Sequence, residues 1–294
     1  MDSAGNNFVW RKEYGMNAPL SKEVILTFVG AGNMAEAMVR GIVRAKLVPP
    51  RCLRVTDTEP RRRDHFQAAF EVAGFACNPD GVRGAQIVVL AVKPQVMAGV
   101  VSEIGAALEP GALVISIAAG ISTQWLEQRL PAGTRVVRVM PNMPALAGAG
   151  VSVYCPGCRA SAADAKLVES LLQSVGVALR MDEKHLDAVT ALSGSGPAYV
   201  FFMAECMMQA GCEMGLDRAT AGTLTLGTIR GAVRLLEEAG AEPGELRQRV
   251  TSKGGTTAAA FEVLEVGHVR EIFVKAIRAA QKRSRELSEG MADS

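Results

Sequence analysis

Aromatic side chains are scarce in this 294-residue sequence, at 5%, although hydrophobic residues make up 49% of it. With glycine and alanine abundant, that shortage fits close-packed helices and an α/β sheet better than a β-sandwich. A charge excess is also missing: 32 Lys and Arg against 30 Asp and Glu leave a formal net charge of +2. General nucleic-acid binding is therefore not expected, because no basic excess is available to neutralise phosphates. No apolar run reaches the roughly 20 residues of a membrane helix, and no secretion signal is evident, since Met1–Lys22 is polar around Arg11-Lys12-Glu13. The expected location is the cytoplasm, with neither membrane nor nucleic acid as partner. Histidine is limited to His65, His185 and His268, which form no recognisable triad with serine or aspartate and no ligand cluster, so no metal is expected. The six cysteines include one CxxC pair, Cys155-Pro156-Gly157-Cys158. No second CxxC or nearby histidine completes a zinc site, and the pair reads as a loop with reduced thiols.

The length allows two domains. From Glu23 onward, short apolar runs alternate with helical spacing. Val24–Val29, Cys52–Asp57, Ile87–Val92, Leu113–Ile117 and Arg135–Met140 read as strands, with helices over Ala35–Lys46 and Arg61–Ala73 between the first of them. That alternation means βαβ units and a parallel sheet. Strand signals stop after Lys184-His185-Leu186, and long helical stretches such as Ala198–Met214 and Arg270–Leu287 run to the end. The fold class expected is an α/β Rossmann domain over residues 23–182, followed by an all-α domain over residues 183–294. Residues 1–22 read as a disordered extension, with Met16 as an alternative start.

Gly30-Ala31-Gly32-Asn33-Met34-Ala35 follows the first strand and opens a helix, the setting in which a glycine fingerprint holds a dinucleotide. Gly30 permits the tight turn, Gly32 lets backbone approach a pyrophosphate, and Ala35 keeps helix and strand close. Asp57 ends the second strand where an acidic residue grips a ribose 2′-hydroxyl, which favours NAD. Arg61, Arg62 and Arg63 follow closely and suit the 2′-phosphate of NADP. Both cofactors, NADH and NADPH, stay open.

Far downstream, Thr251-Ser252-Lys253-Gly254-Gly255-Thr256-Thr257 runs into the strong helix formers Ala258–Glu265. A helix N-terminus there offers unpaired N–H groups and positive dipole potential to a small carboxylate or phosphate. Its plainer reading is a helix cap without ligand. Ser193-Gly194-Ser195-Gly196-Pro197 reads as a helix start with Pro197 in its first turn, since no base or nucleophile-elbow pattern accompanies the serines. Lys93, before Pro94 at a strand end, is open to a catalytic, phosphate-facing or solvent-facing role.

Several ordered motifs together make the chain resemble the pyrroline-5-carboxylate reductase family from about Val24 to Leu287. They are Val29–Met34, Ala91-Val92-Lys93-Pro94-Gln95, Ile117-Ala118-Ala119-Gly120-Ile121, Arg138-Val139-Met140-Pro141-Asn142, Leu192–Tyr199 and the Gly-Gly-Thr-Thr stretch. The resemblance implies reduction of a cyclic imine, 1-pyrroline-5-carboxylate, to L-proline by NADPH or NADH, with a helical dimerisation domain like that of 6-phosphogluconate dehydrogenase. It implies a homodimer with interlocked helical domains, which many members assemble into a decamer. It assigns Val29, Gly30, Ala31, Gly32, Asn33, Met34, Ala91, Val92, Lys93 and Pro94 to the dinucleotide, Asn78 to its adenosine side, and Ala118 and Ala119 to its nicotinamide half. Gly254, Gly255, Thr256 and Thr257 would hold the substrate carboxylate, with the Thr257 hydroxyl aimed at the ring nitrogen. Two positions depart from the family pattern. Lys253 replaces a common proline, and Asp57 stands where many members carry a small polar residue, which sets the usual NADPH preference in question.

Two rival readings follow from the same residues. A β-hydroxyacid dehydrogenase would need Lys253 or Lys184 for proton transfer. A non-catalytic dinucleotide sensor would bind cofactor without turnover, and has no use for a second anion loop.

Overall fold

The computed structural model describes residues 24–292, so the extension expected over residues 1–22 lies outside the described residues. The described chain groups into two compact units, residues 24–197 with 278–292, and Ala198–Ile277.

The first unit is built on one sheet of eight strands: β1 (Leu26–Val29), β2 (Leu53–Thr56), β3 (Ala73–Phe75), β4 (Ile87–Leu90), β5 (Leu113–Ser116), β6 (Arg135–Met140), β7 (Gly150–Pro156) and β8 (Gly176–Arg180). Their spatial order is β3-β2-β1-β4-β5-β6-β7-β8. Helices α1 (Asn33–Arg44), α2 (Pro60–Phe70), α3 (Asn78–Val82), α4 (Met97–Ile104), α5 (Thr123–Arg129), α6 (Ala162–Gln173) and α7 (Leu186–Val189) connect and follow them. β1, β4 and β5 are buried along their whole length, as strands covered on both faces must be, and so they read as continuous apolar runs. Successive residues feed opposite cores. Phe28 joins Met38, Ile42, Leu53, Phe66 and Leu171 on one face, and Val29 joins Leu90, Met97, Ile104 and Leu126 on the other. α1 buries Ala35, Met38, Val39 and Ile42, the three-and-four spacing of one helix face.

One ladder departs from the expected parallel sheet: β7 pairs antiparallel with β6. Residues 141–149, which join them, are fewer than the dozen or so that a parallel crossover needs, so the chain turns straight back. Cys155 consequently lies in β7, buried, rather than in a loop, while Cys158 is exposed past its end. None of the six cysteines forms a disulfide. Residues 183–197 group with the sheet because Leu186 and Val189 pack on Val153 and Cys155.

The second unit holds most of α8 (Gly196–Glu213), then α9 (Arg218–Ala239), α10 (Pro243–Arg249), α11 (Thr256–Val266) and the start of α12 (Val269–Ala292). Asp217 caps α9, its carboxylate accepting the N–H groups of Ala219 and Thr220. Few side chains are buried here: α8 to α11 bury only Gly211, Ala221 and Thr225. Among the described residues no helix is long and apolar enough to cross a membrane.

Candidate active site

The sheet order places β1 beside β4 with helices departing to either side, so a crevice opens at the carboxyl ends of these two strands. Register fixes what meets there. Val29 is level with Thr56 on one side and Leu90 on the other, and Leu90 is level with Ser116. The residues that follow each strand therefore share one edge: Gly30–Met34, Asp57, Ala91–Pro94, and Ala118 with Ala119. The sheet thus gathers all the sequence-selected cofactor residues except Asn78, which opens α3 after β3.

The glycine loop has the geometry a pyrophosphate cradle requires. Gly30 has φ +101°, and a Cβ on it would stand 2.7 Å from the Ala91 carbonyl oxygen. Only glycine tolerates both conditions. A Cβ on Gly32 would meet nothing within 4 Å, so the space above the loop is open on that side. Gly32 also caps α1 with extended backbone and no side-chain acceptor. The first N–H groups of α1 are thereby left for an external anion. These features fit a dinucleotide. Lys93 is exposed beside the crevice, heading the short turn Pro94–Val96.

Asp57 is tightly held. Its Oδ2 accepts the Ala31 N–H at 2.8 Å and its Oδ1 accepts the Glu59 N–H at 2.9 Å. Arg63 donates to the Asp57 backbone carbonyl at 2.6 Å, and Arg62 donates to Asn33 Oδ1 at 3.2 Å. Asn78 accepts the Thr56 hydroxyl at 2.5 Å and donates to Glu103 at 2.8 Å, which leaves one amide N–H on its side chain for another acceptor.

A half-buried ion pair that sequence reasoning missed stabilises the segment after Ala118-Ala119. Glu183 accepts the Thr123 N–H at 2.9 Å, the Thr123 hydroxyl at 2.5 Å and Arg138 Nη1 at 3.0 Å. It thereby ties the start of α5 to β6. Arg138 is buried, and its Nη2 has no hydrogen-bond partner among the described residues. Nothing in the sequence marks a pairing across so many positions, because Arg138 reads simply as a polar residue in a strand. Asn142 is a second such residue. Its Nδ2 donates to the Ser193 carbonyl and hydroxyl, both at 3.2 Å, and its Oδ1 accepts the Val151 N–H. Ser193 belongs to a π-helical turn, Thr190–Gly194, that precedes α8, a distortion often found near functional sites.

The Thr251–Thr257 stretch leads into α11 as the propensities predict. Gly254 has φ +71° and Gly255 caps the helix. The Gly255 N–H is bonded to the Ser252 carbonyl at 3.0 Å, so it is committed within the turn. The Thr256 and Thr257 N–H groups lie in the first turn, where no intrahelical acceptor exists. The neighbouring Thr251 hydroxyl donates to the Arg247 carbonyl at 2.7 Å. Among the described residues, the half-buried Thr257 hydroxyl makes no bond to its own helix, unlike a capping threonine.

Sheet order, glycine loop and trailing helices define a Rossmann-type dinucleotide-dependent oxidoreductase. Comparisons with known proteins agree and go further. Residues 25–120 match a family described as "NADP oxidoreductase coenzyme F420-dependent", and residues 183–287 match "Pyrroline-5-carboxylate reductase dimerisation". A pyrroline-5-carboxylate reductase of Pseudomonas aeruginosa is 42% identical over 90% of this chain and 97% of its own length. The solved pyrroline-5-carboxylate reductase of Coxiella burnetii is 38% identical, with a TM-score of 0.83 over 90% of this chain and 99% of that one. The pyrroline carboxylate reductase of Plasmodium falciparum, solved with NADP bound, is 30% identical with a TM-score of 0.84 over 91% and 99%. The chain belongs to the pyrroline-5-carboxylate reductase family.

Proposed function

We propose that this chain reduces 1-pyrroline-5-carboxylate to L-proline, using NADH or NADPH. The observation that carries the reading is the shared carboxyl edge of β1, β2, β4 and β5, where the glycine loop, Asp57, Ala91–Pro94 and Ala118-Ala119 converge, in a chain 42% identical to a reductase of that name. When bound, the cofactor supplies the hydride.

The protein's own part is mainly positional. Val29–Met34 and Ala91–Pro94 would hold the dinucleotide, with Asn78 toward the adenosine and Ala118 and Ala119 toward the nicotinamide. The Thr256 and Thr257 N–H groups at the head of α11, with Gly254 and Gly255 shaping the turn, would receive the substrate carboxylate. The Thr257 hydroxyl would hydrogen-bond the ring nitrogen and fix the orientation of the imine. A threonine hydroxyl is a weak acid, so water is the proton source. A protonated imine is electrophilic enough that holding two reactants at the right distance and angle supplies most of the catalysis.

The division of labour proposed runs at residue 182: residues 23–182 bind the cofactor, and 183–294 bind substrate and self-associate. The exposed apolar helix faces support a homodimer, with a decamer as the larger proposed assembly and the cytoplasm as the proposed location. The comparisons do not favour the hydroxyacid dehydrogenase or sensor readings. One candidate proton donor of the former, Lys184, is an exposed residue paired with Asp182.

The test is a proline-forming assay with purified protein, imine and each reduced nicotinamide cofactor in parallel. Cofactor oxidation coupled to proline formation is expected. Cofactor binding without turnover would return the sensor reading, and turnover of a hydroxyacid in place of the imine would return the dehydrogenase.

A further inference from the structure

We propose that this chain discriminates in favour of NADH, and that Asp57 sets the choice. The inference rests on the dinucleotide reading above. NADPH differs from NADH only by a phosphate on the adenosine ribose 2′-oxygen, so the two are told apart by whatever charge stands at the end of β2. Here that charge is a carboxylate whose two oxygens are each fixed by a backbone N–H, from Ala31 of the glycine loop at 2.8 Å and from Glu59 at 2.9 Å. Those bonds hold the carboxylate beside the loop, so it cannot swing away from an incoming phosphate. A carboxylate has lone pairs left to accept ribose hydroxyls, whereas a phosphate offers it only like charge.

The three arginines do not reverse this. Arg63 is committed to the Asp57 backbone carbonyl at 2.6 Å and packs against Gly74. Arg62 is drawn to Asn33 on the α1 side at 3.2 Å. Arg61 is exposed in the first turn of α2, where the Glu59 carboxylate accepts its N–H and adds a second negative charge. The β2–α2 turn therefore presents acid to the ribose, with the Arg62 and Arg63 guanidinium groups hydrogen-bonded elsewhere.

Equilibrium binding, read from the fluorescence of each reduced cofactor without imine, tests the assignment. The unmodified protein should bind NADH about tenfold or more tighter than NADPH. Asp57→Asn keeps an acceptor for the Ala31 N–H but removes the charge, and should tighten NADPH by about tenfold with little change for NADH. Asp57→Ser should tighten NADPH and weaken NADH together. Arg62→Ala should leave the unmodified protein's preference in place but blunt the NADPH gain when combined with Asp57→Ser. Equal or tighter NADPH binding by the unmodified protein overturns the proposal, as does an unchanged ratio in both Asp57 variants. Binding of neither cofactor overturns the dinucleotide reading and this proposal with it. A protein that binds NADH selectively but does not reduce the imine refutes the substrate reading alone. If a variant fails to fold, the ratio measured on the unmodified protein still decides.

Discussion

The sheet unit and the helical unit solve the burial problem in opposite ways. In the sheet unit, both faces of the strands are covered within one chain, and Phe28, Phe66, Leu90 and Ile115 are completely buried. In the helical unit, Phe202 is 65% exposed, Val266 81% and Ile272 61%, while α8 to α11 bury almost nothing. Monomeric proteins rarely leave so much contiguous apolar surface in water. The difference teaches that the first unit is a self-sufficient core and the second is half of one, in keeping with the dimerisation family it matches. The proposed chemistry divides along the same line, with cofactor on the complete unit and substrate carboxylate on the incomplete one.

The sharpest way to break that contrast is to cut one phenylalanine in each unit. Phe28→Ala should cost about 3–5 kcal/mol of stability, by the same amount at every protein concentration, as urea unfolding would show. Phe202→Glu should act through association. Losing a buried phenylalanine from both copies of a twofold dimer removes about 3 kcal/mol or more, roughly a hundredfold in dissociation constant. Sedimentation should then show monomer at concentrations where the unmodified chain is dimeric. If Phe202→Glu leaves the assembly intact, that face of α8 is not the one that pairs.

A comparable cost, confined to the sheet unit, is expected at the Arg138–Glu183 pair. Glu183→Ala leaves the Arg138 guanidinium buried without a counter-charge, which typically costs about 3–5 kcal/mol. Glu183→Gln keeps an oxygen for Thr123 and should recover part of it, and thermal unfolding of the two variants would rank them. Equal loss in both would mean the hydrogen bonds to Thr123 matter little and the charge is everything.

How far each unit was legible follows from the same contrast. The strands Leu26–Val29 and Ile87–Leu90 announce themselves because a doubly covered strand is a continuous apolar run, and Gly30 because only glycine meets its backbone demands. β7 was illegible as a reversed strand, since its direction is set by the short connection from β6 and not by its own residues. β3, only Ala73-Gly74-Phe75, carries no pattern long enough to read. The α11 cap was visible in Gly-Gly-Thr-Thr. That the Gly255 N–H is consumed by Ser252 was not, because a turn's internal bonding depends on dihedral angles. Arg138 with Glu183, and Asn142 with Ser193, are long-range pairings that one sequence cannot show.

The split between cofactor and substrate predicts that Thr257→Ala damages one half-reaction only. Losing a positioning hydrogen bond to the imine should lower kcat/KM for the imine by about ten- to a hundredfold, or about 1.4–2.7 kcal/mol. The dissociation constant for the reduced cofactor, measured without imine, should be nearly unchanged. Equal loss of both would show that the two functions are not divided as proposed.

The smallest effect belongs to the sheet unit's buried thiol. Burial, reinforced by the nearby Glu183 carboxylate, pushes the Cys155 thiol above its ordinary range. The folded protein therefore holds this proton more tightly than the unfolded chain, whose thiol ionises near about 8.5. By linkage, the group's contribution to stability is fully present below that pH and falls as pH rises through the folded value. The exposed Cys158 is also raised, chiefly by its hydrogen bond with Glu127, so neither member of the CxxC pair is primed as a thiolate at neutral pH. Unfolding midpoints of the unmodified chain and of Cys155→Ala should keep a constant difference from pH 6 to 8, then shift against the unmodified chain in more alkaline buffer. A difference that stays flat through the alkaline range would mean that β7 opens to admit water around Cys155, and that this edge of the sheet is less complete than its burial suggests.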